Sequence, residues 1–193
     1  MELILLGLLA GVGVASYALW TRARALREAP PPARRLNAAV PAAERTAASL
    51  EPEDVVQHFG TDWVVEGVLG LGEDGRGARL SAVTDGSHTR FLFATSPTSD
   101  PAFLDPAPEL RVEGQPETVR VGTQTFSVTT RGTVAAERRG SILGQRGKGD
   151  PRVSYAEYAA GSRRLVVLRW GDEAEIFLGE RVPSHQLEIL AAR

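Results

Sequence analysis

Residues 78–95 read ARLSAVTDGSHTRFLFAT. Two runs that favour strand, residues 78–83 and 90–95, flank Asp85-Gly86, a dipeptide that readily adopts the positive φ of a tight hairpin turn. The second run, Arg90-Phe91-Leu92-Phe93-Ala94-Thr95, is apolar on both faces, which places it at the centre of a sheet. This stretch commits the domain to antiparallel β-structure.

Similar runs lie on both sides. Residues 62–69 carry Trp63, Val64, Val65 and Val68 and end in the turn-like Gly72-Glu73-Asp74-Gly75. Residues 96–108 hold Pro97, Pro101, Pro106 and Pro108 and read as a loop crossing between two parts. Residues 109–112, 118–121 and 125–130 alternate polar and apolar, as half-buried antiparallel strands do, and residues 133–138 extend the set. Residues 140–151 are rich in glycine and polar side chains and read as a mobile hairpin loop. Four more runs follow, at 153–159, 164–170, 175–181 and 186–190, with turns at 160–162 and 171–173 separating the first three. No helical pattern of ten residues or more occurs after Leu50.

A weak internal echo runs through these strands. Val65-Glu66-Gly67, residues 80–83 and residues 90–94 correspond to Thr130-Arg131-Gly132, residues 155–158 and residues 164–168. The expected fold is mainly β: an antiparallel β-sandwich or barrel of two similar units, spanning residues 50–193. Trp63, Trp170 and Phe177 are the expected core where the two halves meet, because large rings dominate burial energetics.

The N-terminus is of another kind. Residues 3–20, LILLGLLAGVGVASYALW, carry no charge. As a helix they are about 27 Å long, close to the thickness of a hydrocarbon core. A signal peptide carries positive charge before its apolar run, whereas here Glu2 precedes it and Arg22, Arg24, Arg27, Arg34 and Arg35 follow. Residues 1–20 therefore read as a single-pass transmembrane helix in the inner membrane, with the N-terminus outside and the remaining chain cytoplasmic. Gly7, Gly11 and Ala15 form a small-residue face along it, which lets a second copy or partner helix pack closely. Residues 21–49, rich in Ala, Arg and Pro around Pro30-Pro31-Pro32, form a stiff linker.

Composition narrows the chemistry. The chain has 193 residues, a net charge of −2 and no cysteine. That charge gives no general attraction to nucleic acid, and disulfides, thiolate metal sites and cysteine nucleophiles are excluded. His58, His88 and His185 stand far apart, without a second ligand at metal spacing. Gln145-Arg146-Gly147-Lys148-Gly149 departs from the phosphate-binding loop pattern, with Ile142 where the first glycine belongs and Gly149 where a hydroxyl residue belongs. No serine sits in a Gly-x-Ser-x-Gly elbow. The sequence indicates no cofactor, metal or catalytic residue.

One resemblance can be named. Tyr155-Ala156-Glu157-Tyr158, residues 165–170 and residues 175–182 resemble the closing portion of a bacterial family catalogued as domain of unknown function 4178. Asp54-Val55 and residues 63–69 resemble its opening portion, so the likeness spans about residues 50–191. Members tend to show a glycine before the early aspartate and an aromatic-acidic pair in the first half. This chain has Glu53 and Leu80-Ser81-Ala82 there. The resemblance implies a small β domain and carries no activity with it.

These readings lead to a membrane-tethered β domain without catalysis, serving as a protein-interaction or scaffold module at the inner membrane. Its partners are membrane lipid through the anchor, a protein at the membrane and, through the small-residue helix face, itself. The alternative is a barrel that binds a small molecule or lipid headgroup in a groove near Tyr155, Glu157 and Arg169. An enzyme would instead need titratable groups converging in a cleft.

Overall fold

Phe91 and Phe93 leave their strand on one side, Leu92 and Ala94 on the other, and all four are buried. Both faces of this strand are therefore covered, as its double-sided apolar pattern requires. The computed structural model describes residues 45–72, 77–144 and 151–192. In it the first half of the domain supplies β1 (Val55–His58), β2 (Thr61–Leu71), β3 (Ala78–Thr84), β4 (Thr89–Ala94) and β5 (Ala102–Pro106). The second half supplies β6 (Thr118–Val121), β7 (Gln124–Gly140), β8 (Arg152–Ala160), β9 (Arg163–Trp170) and β10 (Glu173–Arg181), and β11 (Leu187–Leu190) follows.

All pairings are antiparallel. The order β2-β3-β4-β5-β10-β9-β8-β7 closes on itself through β2 and β7, giving an eight-stranded barrel. Of sandwich and barrel, the barrel is the one that forms, and the β2–β7 pairing leaves neither end of the eight-strand series open along that register. β1 and β11 extend from the first half of β2, and β6 extends from the first half of β7.

The barrel interior is filled. Leu69, Leu80, Phe91, Phe93, Leu104, Val166, Leu168, Trp170 and Phe177 interlock there, with the Phe91 and Phe177 rings 4.7 Å apart. Two further apolar clusters lie outside the barrel wall. One gathers Trp63, Val65, Leu92, Phe103 and Val182 under the turn Ala47–Ser49 and β11. The other gathers Phe126, Ala156, Tyr158, Leu165 and Ile176 under Ala107, Leu110 and Val112. Trp170 and Phe177 are thus interior as expected, but Trp63 belongs to an outer cluster, because the bulge between Val65 and Gly67 reverses the alternation along β2 and sets Trp63 and Val65 on the face of Val68, opposite Leu69 and Leu71.

The two halves repeat one plan. Each opens with a four-residue strand, a two-residue turn (Phe59-Gly60 or Gly122-Thr123) and a long strand with a bulge, and then adds three more strands. The bulges fall between Val65 and Gly67 and between Val128 and Thr130. Just before each, Val65 N–H donates to Asp54 O at 2.8 Å and Val128 N–H donates to Glu117 O at 2.9 Å. The echo seen in the sequence is therefore displaced: Val128-Thr129-Thr130, not Thr130-Arg131-Gly132, matches Val65-Glu66-Gly67.

Other segments also differ from the sequence reading. The proline-rich loop at 96–108 contains β5, since its prolines sit before the strand and at its last residue, where no interior ladder bond is lost. Residues 109–112 are not a strand; their apolar side chains cap an outer cluster instead. The two runs at 125–130 and 133–138 are one strand of 17 residues, β7. The anchor, with Gly7, Gly11 and Ala15, and residues 21–44 of the linker lie outside the described residues, whereas the linker's last residues, 45–49, pack on the domain with Ala47 in an outer cluster. Among those described, no helix is long and apolar enough to cross a membrane.

Two backbone positions carry clear consequences. At the centre of the β5–β10 ladder Gly179 faces Leu104, and a Cβ on Gly179 would run into the Phe103 carbonyl oxygen. Glu53 has φ 73, a left-handed conformation that glycine adopts without cost. Gly179→Ala is expected to lower stability by about 3 kcal/mol, the upper end of overpacking costs, in urea unfolding. Glu53→Gly is expected to raise it by about 1 kcal/mol by relieving the left-handed strain on a residue with a side chain. A destabilised Glu53→Gly variant would contradict this account.

Candidate groove where the two halves meet

The β5–β10 ladder joins the halves, and its outward side chains form the floor of a groove of about 600 Å³. Phe103, Leu178 and Val182 supply the apolar floor. The β1–β2 hairpin brings His58 and Phe59 to one wall, while Arg90 and Arg163 reach in from β4 and β9.

An arginine lies against an aromatic ring of each outer cluster, although the registers place Leu165, not Arg163, at the position that corresponds to Arg90. Arg90 lies 6.0 Å from the Trp63 ring, and Arg163 lies 6.0 Å from the Phe126 ring. Arg90 also stands 5.0 Å from the Phe103 ring and donates two bonds to Asp105, Nε to Oδ1 at 2.8 Å and Nη2 to Oδ2 at 2.9 Å. Such a bidentate pair fixes both side chains. Arg163 faces Glu180 across the β9–β10 register as Arg90 faces Asp105 across the wall, yet its bond goes to Gln124 Oε1 at 3.1 Å. One side of the groove is neutralised by an ion pair, and the other holds its cation with a neutral amide.

The aromatic wall is built on a strained turn. Phe59 has φ 49 and Gly60 φ 77, so both residues of this tight turn are left-handed. A phenylalanine is poorly suited to that conformation, and its ring is 81% exposed. His58 stacks on Phe103, with ring centres 4.9 Å apart and planes 15° from parallel. Its Nε2 is buried without a hydrogen-bond partner. Burial, with the nearby Arg90 charge, pushes the His58 pKa below its ordinary value.

The residues singled out from sequence fall elsewhere. Tyr155 packs against the barrel interior from β8, and burial raises its phenol pKa. Glu157, two residues along the same strand, is also drawn upward by burial, an effect that Arg164 Nε at 3.4 Å partly offsets. Arg169 leaves β9 on the opposite face, where Nη2 donates to Val112 O at 2.5 Å. It lines a second outer groove of about 530 Å³ with Asp172 and Glu175, and neither Tyr155 nor Glu157 reaches it. Tyr155 and Glu157 are therefore brought together, and Arg169 is not. His58, His88 and His185 are not gathered either: among the described residues no three potential ligands converge as a metal site would need.

His58, Phe59, Arg90 and Phe103 escaped the sequence reading. Residues 55–58 are short enough to pass as part of a loop, although Phe59-Gly60 between two valine-bearing runs is a hairpin signal. No local pattern tells that β5 lies beside β10.

A closed antiparallel barrel with a groove on its outer wall is the class these features define. Residues 51–184 match the family model described as domain of unknown function (DUF4178), and the chain belongs to that family. No curated protein and no solved structure matches the chain.

The depressed pKa of His58 has a stability consequence. Below the ordinary value of 6.5 and down to its folded pKa, the unfolded chain binds more protons at this site than the native one. The contribution is present above 6.5 and lost as pH falls through that window. Urea unfolding between pH 5 and 8 is expected to show stability rising with pH up to about 6.5, and His58→Gln is expected to flatten that rise. An unchanged slope in the variant would remove His58 as its origin.

Proposed function

We propose that this protein is a non-catalytic binding module, tethered at the inner face of the membrane by residues 1–20, that engages a protein partner through the groove above β5 and β10. The observation that carries the reading is Phe59, an aromatic ring 81% exposed at the groove mouth and held there by left-handed backbone. Strain of this kind persists where surrounding structure imposes it, and it collects at binding and switch positions. An exposed ring beside an apolar floor, rimmed by arginines, has the composition of an interface hot spot. A packed barrel interior favours this outer surface over a ligand held in the lumen.

The test uses the full chain purified from membranes in mild detergent, as wild type, Phe59→Asp and a form lacking residues 1–20. A stoichiometric partner is expected with the wild type and at least tenfold less of it with Phe59→Asp. Loss of residues 1–20 is expected to release the protein from the membrane fraction. Equal partner recovery by wild type and Phe59→Asp would exclude the groove as the contact, and a truncated form still sedimenting with membranes would exclude the tether.

A further inference from the structure

The repeated plan of the two halves exposes one place where they differ. In the first half the outer edge of β1 is covered: β11 pairs with it, Val55 opposite Leu190 and Gln57 opposite Glu188. The matching edge in the second half belongs to β6, and among the described residues no strand pairs with it.

The equivalence is detailed. β6 meets β7 as β1 meets β2, through a four-residue register and a two-residue turn. Glu117 O accepts from Val128 N–H as Asp54 O accepts from Val65 N–H. In an antiparallel ladder such bonds alternate, so the N–H and C=O groups of Thr118 and Arg120 point away from β7. They correspond to Val55 and Gln57, the residues that face Leu190 and Glu188.

Chain connection explains the difference. After β10, Val182, Leu187 and Ile189 cover the first outer cluster, and the chain lies alongside β1. After β5, Ala107, Leu110 and Val112 cover the second cluster in the same manner. That segment must then turn directly into β6, so it cannot also lie beside it. Val119 and Val121 stay only partly buried, and the outward backbone groups of Thr118 and Arg120 stay without a strand partner among the described residues.

We propose that the outer edge of β6 is a strand-docking site for an extended segment of a partner polypeptide, antiparallel to β6, in which apolar residues alternate with an acidic one. β11 is the template for its chemistry. Leu187 and Ile189 pack on the outer cluster while Glu188 lies opposite Gln57. In the second half the place of Gln57 is taken by Arg120, which is exposed and has no ion-pair partner among the described residues. An acidic residue opposite Arg120 completes an ion pair that the first half lacks. Strand addition supplies main-chain bonds for affinity and alternate side chains for specificity. This site is separate from the groove and does not depend on it.

A labelled peptide QLEILA, copying residues 186–191, serves as the probe, added to the full-length protein in detergent. Saturable binding is expected in fluorescence anisotropy, with slowed hydrogen exchange at the amides of Thr118 and Arg120. Arg120→Pro breaks no bond to β7 but removes both the outward N–H and the guanidinium, and is expected to weaken binding at least tenfold. Arg120→Glu, which leaves the backbone intact, is expected to weaken it several-fold, and the peptide QLKILA is expected to restore binding to that variant. Absent binding, affinity unchanged by both substitutions, or protection appearing at Val55 and Gln57 instead would overturn the proposal. So would a self-associated protein that loses its dimer, but gains no peptide affinity, when Arg120 is replaced.

Discussion

Two four-stranded units of this chain share one interior because β5 and β10 lie backbone against backbone where Leu104 meets Gly179. The Phe103 carbonyl oxygen stands where a side chain on residue 179 would begin, so hydrogen alone fits there. From that contact the remaining architecture follows. It sets Phe177 against Phe91, lets alternating residues of both units fill the lumen, and turns Phe103 and Leu178 outward as the groove floor. Each aromatic side chain so buried contributes about 1.5–3 kcal/mol. The second junction, between β2 and β7, then closes the cylinder along a short register from Gly67 to Leu71.

Repetition of one plan in both halves organises the outside as well. Each unit carries its own outer cluster, roofed by the segment that follows its last strand. An arginine stands 6.0 Å from the Trp63 ring in one cluster and another 6.0 Å from the Phe126 ring in the other. Function is read most readily where this likeness breaks. Phe59 stands where the other half has glycine, and β11 has no counterpart on β6 among the described residues. A buried carboxylate secures the first half in a way the second lacks. Asp54 accepts from Glu51 N–H and from Ala192 N–H, both at 2.8 Å, with Arg45 at 3.6 Å, binding the start of the domain to its end.

How much of this could be read beforehand depended on the range of the interaction. The β4 pattern announced a strand buried on both sides, because two adjacent phenylalanine-leucine alternations leave no polar face. The Asp85-Gly86 and Gly161-Ser162 turns were visible because tight turns need particular residues at particular places. β5 was hidden inside a proline-rich stretch whose prolines mark its ends, and residues 109–112 alternated like a strand while serving as a cap. Simple alternation along β8 sets Tyr155 and Glu157 on one face. Arg169 could not be separated from them, because the turn between β8 and β9 sets its parity and alternation does not cross a turn.

The sequence by itself determined that the chain carries an uncharged N-terminal run, a basic proline-rich stretch after it and a β domain of two related parts. Those are properties of composition and short-range period, which backbone geometry converts directly into local structure. Only the tertiary structure decided that the strands close into a barrel, that Trp63 lies outside it, and that His58, Arg90 and Phe103 meet above the β5–β10 ladder. It also decided that β6 keeps an open edge while β1 does not. Pairing between strands far apart in the chain is fixed by the packing of a whole interior, and no local stretch of residues encodes it.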